Sequence, residues 1–222
     1  MRLLITDVTE MSTGNFCVAG WDVNQLRMVR PLPGGRNWTA ALLAQYAVVP
    51  GALIEFSPTG VAHNSSYPHL TEDTQVDIMA TITLNAPAAN WFGQNAPPAS
   101  ASVAAAFYDN VMCNSIWNGR HQGAYVPIGA PIGSLGTVVL PRSNISFEEA
   151  FGKLKAVVND GNVEYVLAVS SVVLKTAWRQ GGLLAVSNAL PASPFVHVRL
   201  GLARAFDQPL HKCYLMVNGI HG

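Results

Sequence analysis

Charge is what this chain of 222 residues has least of: Asp, Glu, Lys and Arg make up 12%, and 13 basic side chains meet 13 acidic ones. That is about half the usual charged share. A broad electrostatic grip on a polyanion calls for a clearly basic domain or patch, so net neutrality excludes it as the main source of recognition. Shape, aromatic surfaces and hydrogen bonds are left to do that work, with room for one local patch. Cysteine is also scarce. Cys17, Cys113 and Cys213 are odd in number and widely separated, which is neither a disulfide framework nor a metal knuckle, and they are expected to be reduced, metal-free packing residues. No run approaches the roughly 18 apolar residues of a membrane span. The apolar opening Leu3 to Ile5 is broken at once by Asp7, too early for a signal peptide, so a cytoplasmic protein without membrane contact is expected.

Catalytic and cofactor patterns are missing as well. The glycines from Gly129 to Gly136 are not followed by the lysine of a phosphate loop, so they read as turn residues. His63 and His69 lie six apart without an acidic neighbour at ligand spacing, and His121, His197, His211 and His221 are scattered, so no metal set is expected. Cys113 with His121 lacks the frame of a nucleophile elbow. Asp73 with Asp77, and Glu148 with Glu149, read as solvated or capping carboxylates rather than as ligands around an ion. No catalytic residue, metal or cofactor is expected, and a hydrolase acting on nucleotides or nucleic acid is the weakest of three readings.

Half of the residues are apolar, enough for one sizeable core or two small ones. Short apolar runs closed by glycine and proline point to strands: Leu3 to Val8, Phe16 to Val23, Leu26 to Val29, Ala52 to Phe56 and Gln75 to Leu84 in the first half, with one or two helical turns from Thr39 to Tyr46 capped by Thr39. Such spacing suits a small barrel over residues 1–90. A proline-rich break from Pro87 to Ser100 follows, then a helix from Ser102 to Met112 favoured by Ala104 to Ala106. In the second half, residues 101–222, Thr137 to Leu140, Val157 to Asn159, Glu164 to Ser170, Phe195 to Ala205 and Cys213 to Asn218 read as strands, and Asp160, Gly161, Asn162 as a tight hairpin turn. Ser146 to Glu149 reads as a helix start or a turn, Ser171 to Arg179 as strand or helix. The fold class is mainly β: two small antiparallel barrels with inserted or bridging helices, packed as one compact unit.

The strand Leu3 to Thr6, the tetrapeptide Cys17, Val18, Ala19, Gly20, the run Val29, Arg30, Pro31, Leu32, the turn Gly133 to Gly136 and the closing Tyr214 to Ile220 occur in the order and over the span of a known family. On these pieces the chain resembles the dual OB-containing domain, a family of bacterial proteins. The resemblance implies that both barrels are OB-like and that the protein has a nucleic-acid-related role. The family's opening is typically more polar and basic than Asp7, Val8, Thr9 and Glu10 here.

Two constellations carry binding chemistry. Trp21, Arg27, Arg30, Arg36 and Trp38 place guanidinium forks beside indoles around a Pro-Gly-Gly loop, the combination that grips phosphate or a base edge and stacks on bases. The competing reading has Trp21 capping a core and Arg30 bound to an internal carboxylate such as Asp22. Trp117, Arg120 and His121 belong to a donor-rich stretch, Trp117 to Gly123, read as a loop suited to a polar ligand or a partner. The first functional reading is therefore a module that binds or senses single-stranded nucleic acid through these arginines and aromatics. The second is a protein-interaction or structural component without catalytic activity, in which the same aromatics are core.

Overall fold

The computed structural model describes residues 1–11, 14–61, 66–82, 97–130, 133–205 and 211–222. The chain divides into two compact units, Met1–Pro97 and Pro98–Gly222, both built mainly of strands. Most of the break expected from Pro87 to Ser100 lies outside the described residues.

The first unit contains β1 (Arg2–Glu10), β2 (Phe16–Asp22), β3 (Arg27–Pro33), helix α1 (Ala40–Gln45), β4 (Leu53–Val61) and β5 (Asp73–Ile82). The strands close into a ring in the order β1-β2-β3-β5-β4. Every pairing is antiparallel except the seam of β3 with β5, which is parallel and sets Arg30 opposite Asp73. The turn between β2 and β3 is made by Asp22, whose Oδ1 accepts from the backbone N–H groups of Asn24 (3.0 Å) and Gln25 (3.3 Å), the local bonding that makes Asp a turn former. Thr39 Oγ1 accepts from Leu42 N at 3.3 Å and starts α1, as its sequence position suggests. Leu3, Ile5, Val29, Ile54 and Val76 fill the interior. Strand β1 is buried on both faces from Leu3 to Thr9, so its polar residues need internal partners: Thr6 Oγ1 donates to Asp7 Oδ2 at 2.8 Å.

The second unit contains β6 (Met112–Trp117), β7 (Arg120–Pro127), β8 (Leu135–Pro141), β9 (Ile145–Ala150), β10 (Lys153–Asn159), β11 (Glu164–Val169), α2 (Val172–Asn188), β12 (Phe195–Leu202) and β13 (Lys212–His221). They form one sheet in the order β8-β12-β13-β7-β11-β10-β9, with β6 added on β7 and a direct parallel contact of β11 with β13. Strands β8 and β9 stand at opposite ends of this path, yet only one 3-10 turn, Arg142–Asn144, separates them in the chain. They act as one bent strand whose first half pairs β12 and whose second half pairs β10. The sheet is thereby joined on itself through the backbone. Asp160 fixes the β10–β11 turn by accepting from Asn162 N and Val163 N, and its second oxygen accepts from Val103 N at 2.9 Å, tying in the segment that precedes β6.

Three local expectations differ from this structure, and one reading left open between strand and helix is resolved. The helix expected from Ser102 to Met112 is one 3-10 turn, Ala105–Phe107. Ser102 Oγ accepts from Ala105 N at 3.0 Å, but Phe107 is fully buried and Tyr108 and Asp109 adopt left-handed backbone (φ 51° and 59°), which ends any helix. Ser146 to Glu149 lies in strand β9, because each of these residues finds a ladder partner on β10; long-range pairing overrides a local capping pattern. Ser171 to Arg179 is helical, and Ser171 Oγ accepts from Leu174 N at its start. The helix α2 breaks at Gly181 and Gly182, the latter at φ 64° and ψ −157°, a conformation reserved for glycine. Finally, Trp117 to Gly123 is not a loop but the end of a hairpin, with only Asn118 (φ 49°) and Gly119 (φ 77°) in the turn.

Candidate functional site

The first constellation divides between core and surface. Trp38 sits in an isolated bridge, exchanging backbone hydrogen bonds with Phe16 (2.9 and 3.1 Å), which draws its side chain inward. Its indole is 0% exposed, donates from Nε1 to the Pro31 carbonyl at 2.7 Å, and meets Phe56 edge-on at 6.3 Å. Neither face of this ring is open to a base. Arg30 is 8% exposed. Its Nη2 donates to Cys17 Sγ at 2.8 Å, its Nε lies 3.6 Å from Asp73 Oδ1, and its backbone N–H donates to Glu72 O at 2.8 Å. Burial alone would lower its pKa, but Cys17, Asp73 and Glu72 together raise it, so the guanidinium is a charged internal group. The internal carboxylate is Asp73, supplied by the parallel seam, and not Asp22, which is occupied by its own turn. Arg27 and Arg36 are exposed, Arg27 donating from Nε to Gln25 Oε1 at 2.7 Å. Trp21 is half-buried in a row with Leu4 and Met28.

The second constellation is more accessible. On the β6–β7 hairpin Trp117 stands opposite Arg120 and Ile116 opposite His121. Trp117 is 67% exposed and Ile116 61%. Arg120 donates from Nη1 to Glu148 Oε2 at 3.2 Å and pairs through Nε with Glu164 Oε1, so its charge is already met by two carboxylates. His121 is half-buried and edge-on to Tyr165, ring centroids 5.5 Å apart. Burial first, then Asp160 and Cys113, push the Tyr165 phenol up to about 12, which leaves it neutral. Across the same sheet Lys155 faces Glu148; burial and the neighbouring Lys153 lower its pKa and Glu148 opposes them. At the β9–β10 turn Phe151 is completely exposed, on left-handed backbone at φ 53°.

Sequence reasoning passed over Phe151, Ile116 and Met112. The Asn118-Gly119 dipeptide between two strand-like runs was the available signal, since Asn-Gly is the strongest short hairpin cue. Among the described residues no group of three or more His, Cys, Asp or Glu is placed to hold a metal ion, and His63 lies outside them. Burial pushes the Cys213 thiol up to about 11, so it packs as an apolar residue and is inert as a nucleophile. No described helix is long and apolar enough to cross a membrane. In comparisons with known proteins the chain matches no family model and no curated sequence.

Proposed function

We propose that the chain is a non-catalytic module of two OB-type barrels that binds single-stranded nucleic acid weakly, as the resemblance to the dual OB-containing domain family implies. The observation that carries this reading is the strand order. The first ring runs 1-2-3-5-4 with a parallel seam of strands 3 and 5 and a helix between strands 3 and 4. When β8 and β9 are taken as one bent first strand, the second unit follows the same scheme: β10, β11, β13 and β12 come next, β11 and β13 are parallel, and α2 lies between β11 and β12. An OB barrel presents oligonucleotides with its strand 2–3 face and flanking loops. In the second unit that face is β10–β11, with Phe151 and Lys153 at one end and Trp117 beside Arg120 at the other. Exposed indole and phenyl rings supply stacking, which is worth about 1–3 kcal/mol per base and tolerates any sequence. Because Arg120 is paired and the chain is neutral, few phosphates are neutralised and the salt dependence is shallow.

Fluorescence anisotropy with labelled single-stranded DNA and RNA at two salt concentrations tests this. Trp117→Ala is expected to weaken binding by about 1–3 kcal/mol, roughly fivefold to over a hundredfold, with an unchanged melting temperature. Equal binding by wild type and Trp117→Ala would remove the indole from the site, and no binding at low salt would sink the reading. A protein-interaction module is the second reading. It is favoured by β6, whose residues Met112 to Trp117 include no charged side chain and leave Met112, Ile116 and Trp117 exposed.

A further inference from the structure

Asparagine followed by glycine occurs twice in the chain, as Asn118-Gly119 and as Asn218-Gly219, and the fold treats the two dipeptides in opposite ways. Asn118 and Gly119 form the whole turn of the β6–β7 hairpin, on left-handed backbone at φ 49° and 77°, and both are exposed. A Cβ built on Gly119 would meet nothing within 4 Å. Among the described residues neither the Asn118 amide nor the Gly119 N–H has a hydrogen-bond partner. Asn218 lies in β13 and is buried, where its Oδ1 accepts from Ser170 Oγ at 2.7 Å and its amide fills the space that a side chain on Gly201 would take. Gly219 beside it is buried too, paired with Arg199 of β12.

We propose that Asn118 is a modification site, its side-chain amide converted to a carboxylate through a cyclic imide with water as the only other reactant. The Gly119 nitrogen, having lost its proton to base, attacks Asn118 Cγ; the N–Cγ bond forms as the Cγ–Nδ2 bond breaks, and Nδ2 takes up a proton and leaves as ammonia. Water then opens the ring. Cleavage of the new N–Cγ bond gives an aspartate at position 118, whereas cleavage between that nitrogen and the Asn118 carbonyl carbon gives an isoaspartate, whose backbone runs through the former side chain and is longer by a methylene. Glycine is the follower that permits the attack, since no Cβ crowds its nitrogen. Ring closure also needs the Asn118 backbone to rotate until that nitrogen reaches Cγ, and a turn tip whose side chain no hydrogen bond holds belongs to the part of a fold that opens most readily. Asn218 lacks this freedom, because the same rotation there would break the Ser170 bond and the β12 ladder together. Conversion adds a negative charge two residues from Arg120, whose guanidinium already meets Glu148 and Glu164. In the isoaspartyl form the longer backbone no longer suits a two-residue turn, so the pairing of Trp117 with Arg120 at the end of the ladder opens. The inference stands on the turn and is independent of nucleic-acid binding.

Folded protein and a urea-unfolded sample, incubated side by side in mildly alkaline buffer, are digested and mapped by mass spectrometry, with fragmentation to locate each site and chromatography to separate aspartate from isoaspartate. Both dipeptides should convert in the unfolded sample. In the folded protein, conversion at Asn118 should exceed that at Asn218 by at least about tenfold, the factor set by about 1.4 kcal/mol of additional opening free energy at the buried site. Mildly acid buffer should slow it. Asn118→Gln, whose longer side chain would have to close a larger ring, should leave this turn unchanged over the same period with wild-type circular dichroism. The isolated isoaspartyl form should exchange the backbone amide hydrogens of residues 112–127 faster than unreacted protein. Absence of product at position 118 in the folded protein, over the time in which the unfolded chain converts fully, overturns the proposal, as do equal folded-state rates at the two dipeptides. Equal hydrogen exchange in the two forms overturns the opening of the hairpin. Should the glutamine variant not fold, the comparison of the two dipeptides within the wild-type chain still decides.

Discussion

Replacing Trp38 with alanine is expected to destabilise the first unit by about 3–5 kcal/mol, the range for removing a fully buried large aromatic. The ring is completely enclosed and packs against Phe56, and its Nε1 holds the carbonyl of Pro31. Alanine would leave a cavity and an unpaired buried acceptor together. Trp38→Phe separates the two: it keeps most of the packing and loses the hydrogen bond, at about 1–3 kcal/mol. Urea unfolding followed by circular dichroism measures both. At temperatures where the variants stay folded, oligonucleotide affinity should match wild type. A Trp38→Ala protein with near-wild-type stability and lost binding would instead return the indole to the surface chemistry that its sequence neighbourhood suggests.

The second large effect is expected at Asp73, whose side chain is wholly buried 3.6 Å from the Arg30 guanidinium. Removing one member of a buried ion pair strands the other, which typically costs about 3–5 kcal/mol. Asp73→Ala should fall at the lower end, because Cys17 and Glu72 also favour the charged arginine. Replacing both partners with apolar residues, Arg30→Met with Asp73→Leu, should recover most of the loss, since no uncompensated charge then remains. Unfolding free energies of the two single variants and the double variant give the coupling directly. Additive effects without recovery would mean that Arg30 and Asp73 contribute separately.

The legibility of this chain follows the range of the forces involved. Local signals were readable: the Thr39 cap and the Asp160-Gly161-Asn162 turn appear where short-range chemistry puts them. Elements decided by distant partners were not. Ser146 to Glu149 carries a helix-start pattern and becomes a strand because β10 offers a ladder, while the alanines before Phe107 yield to the burial of that ring. The same distinction separates the two constellations. Arg30 and Trp38 have the residue types of a binding surface, but an isolated bridge to Phe16 and a parallel neighbour bearing Asp73 pull them inside. Nothing within ten residues of either announces those partners. Trp117 stays outside because its hairpin turn is local.

The parallel seams have a consequence for the time course of folding. Many neighbouring strands in both units are hairpin partners, contacts that form in about 1–10 μs. The seams are different. In the second unit Ser170 at the end of β11 meets Asn218 of β13, 48 positions along the chain, and in the first Asp73 reaches back to Arg30. Loop-closure entropy grows only logarithmically with length, so these contacts weigh little on final stability. They weigh heavily on rate, because that entropy is lost before the contact returns any enthalpy. Forming the parallel seam is thus the slow event in each unit. Until it happens, β5 and β13 have exposed edges, and the nascent chain passes through that open stage with its first unit ahead of its second.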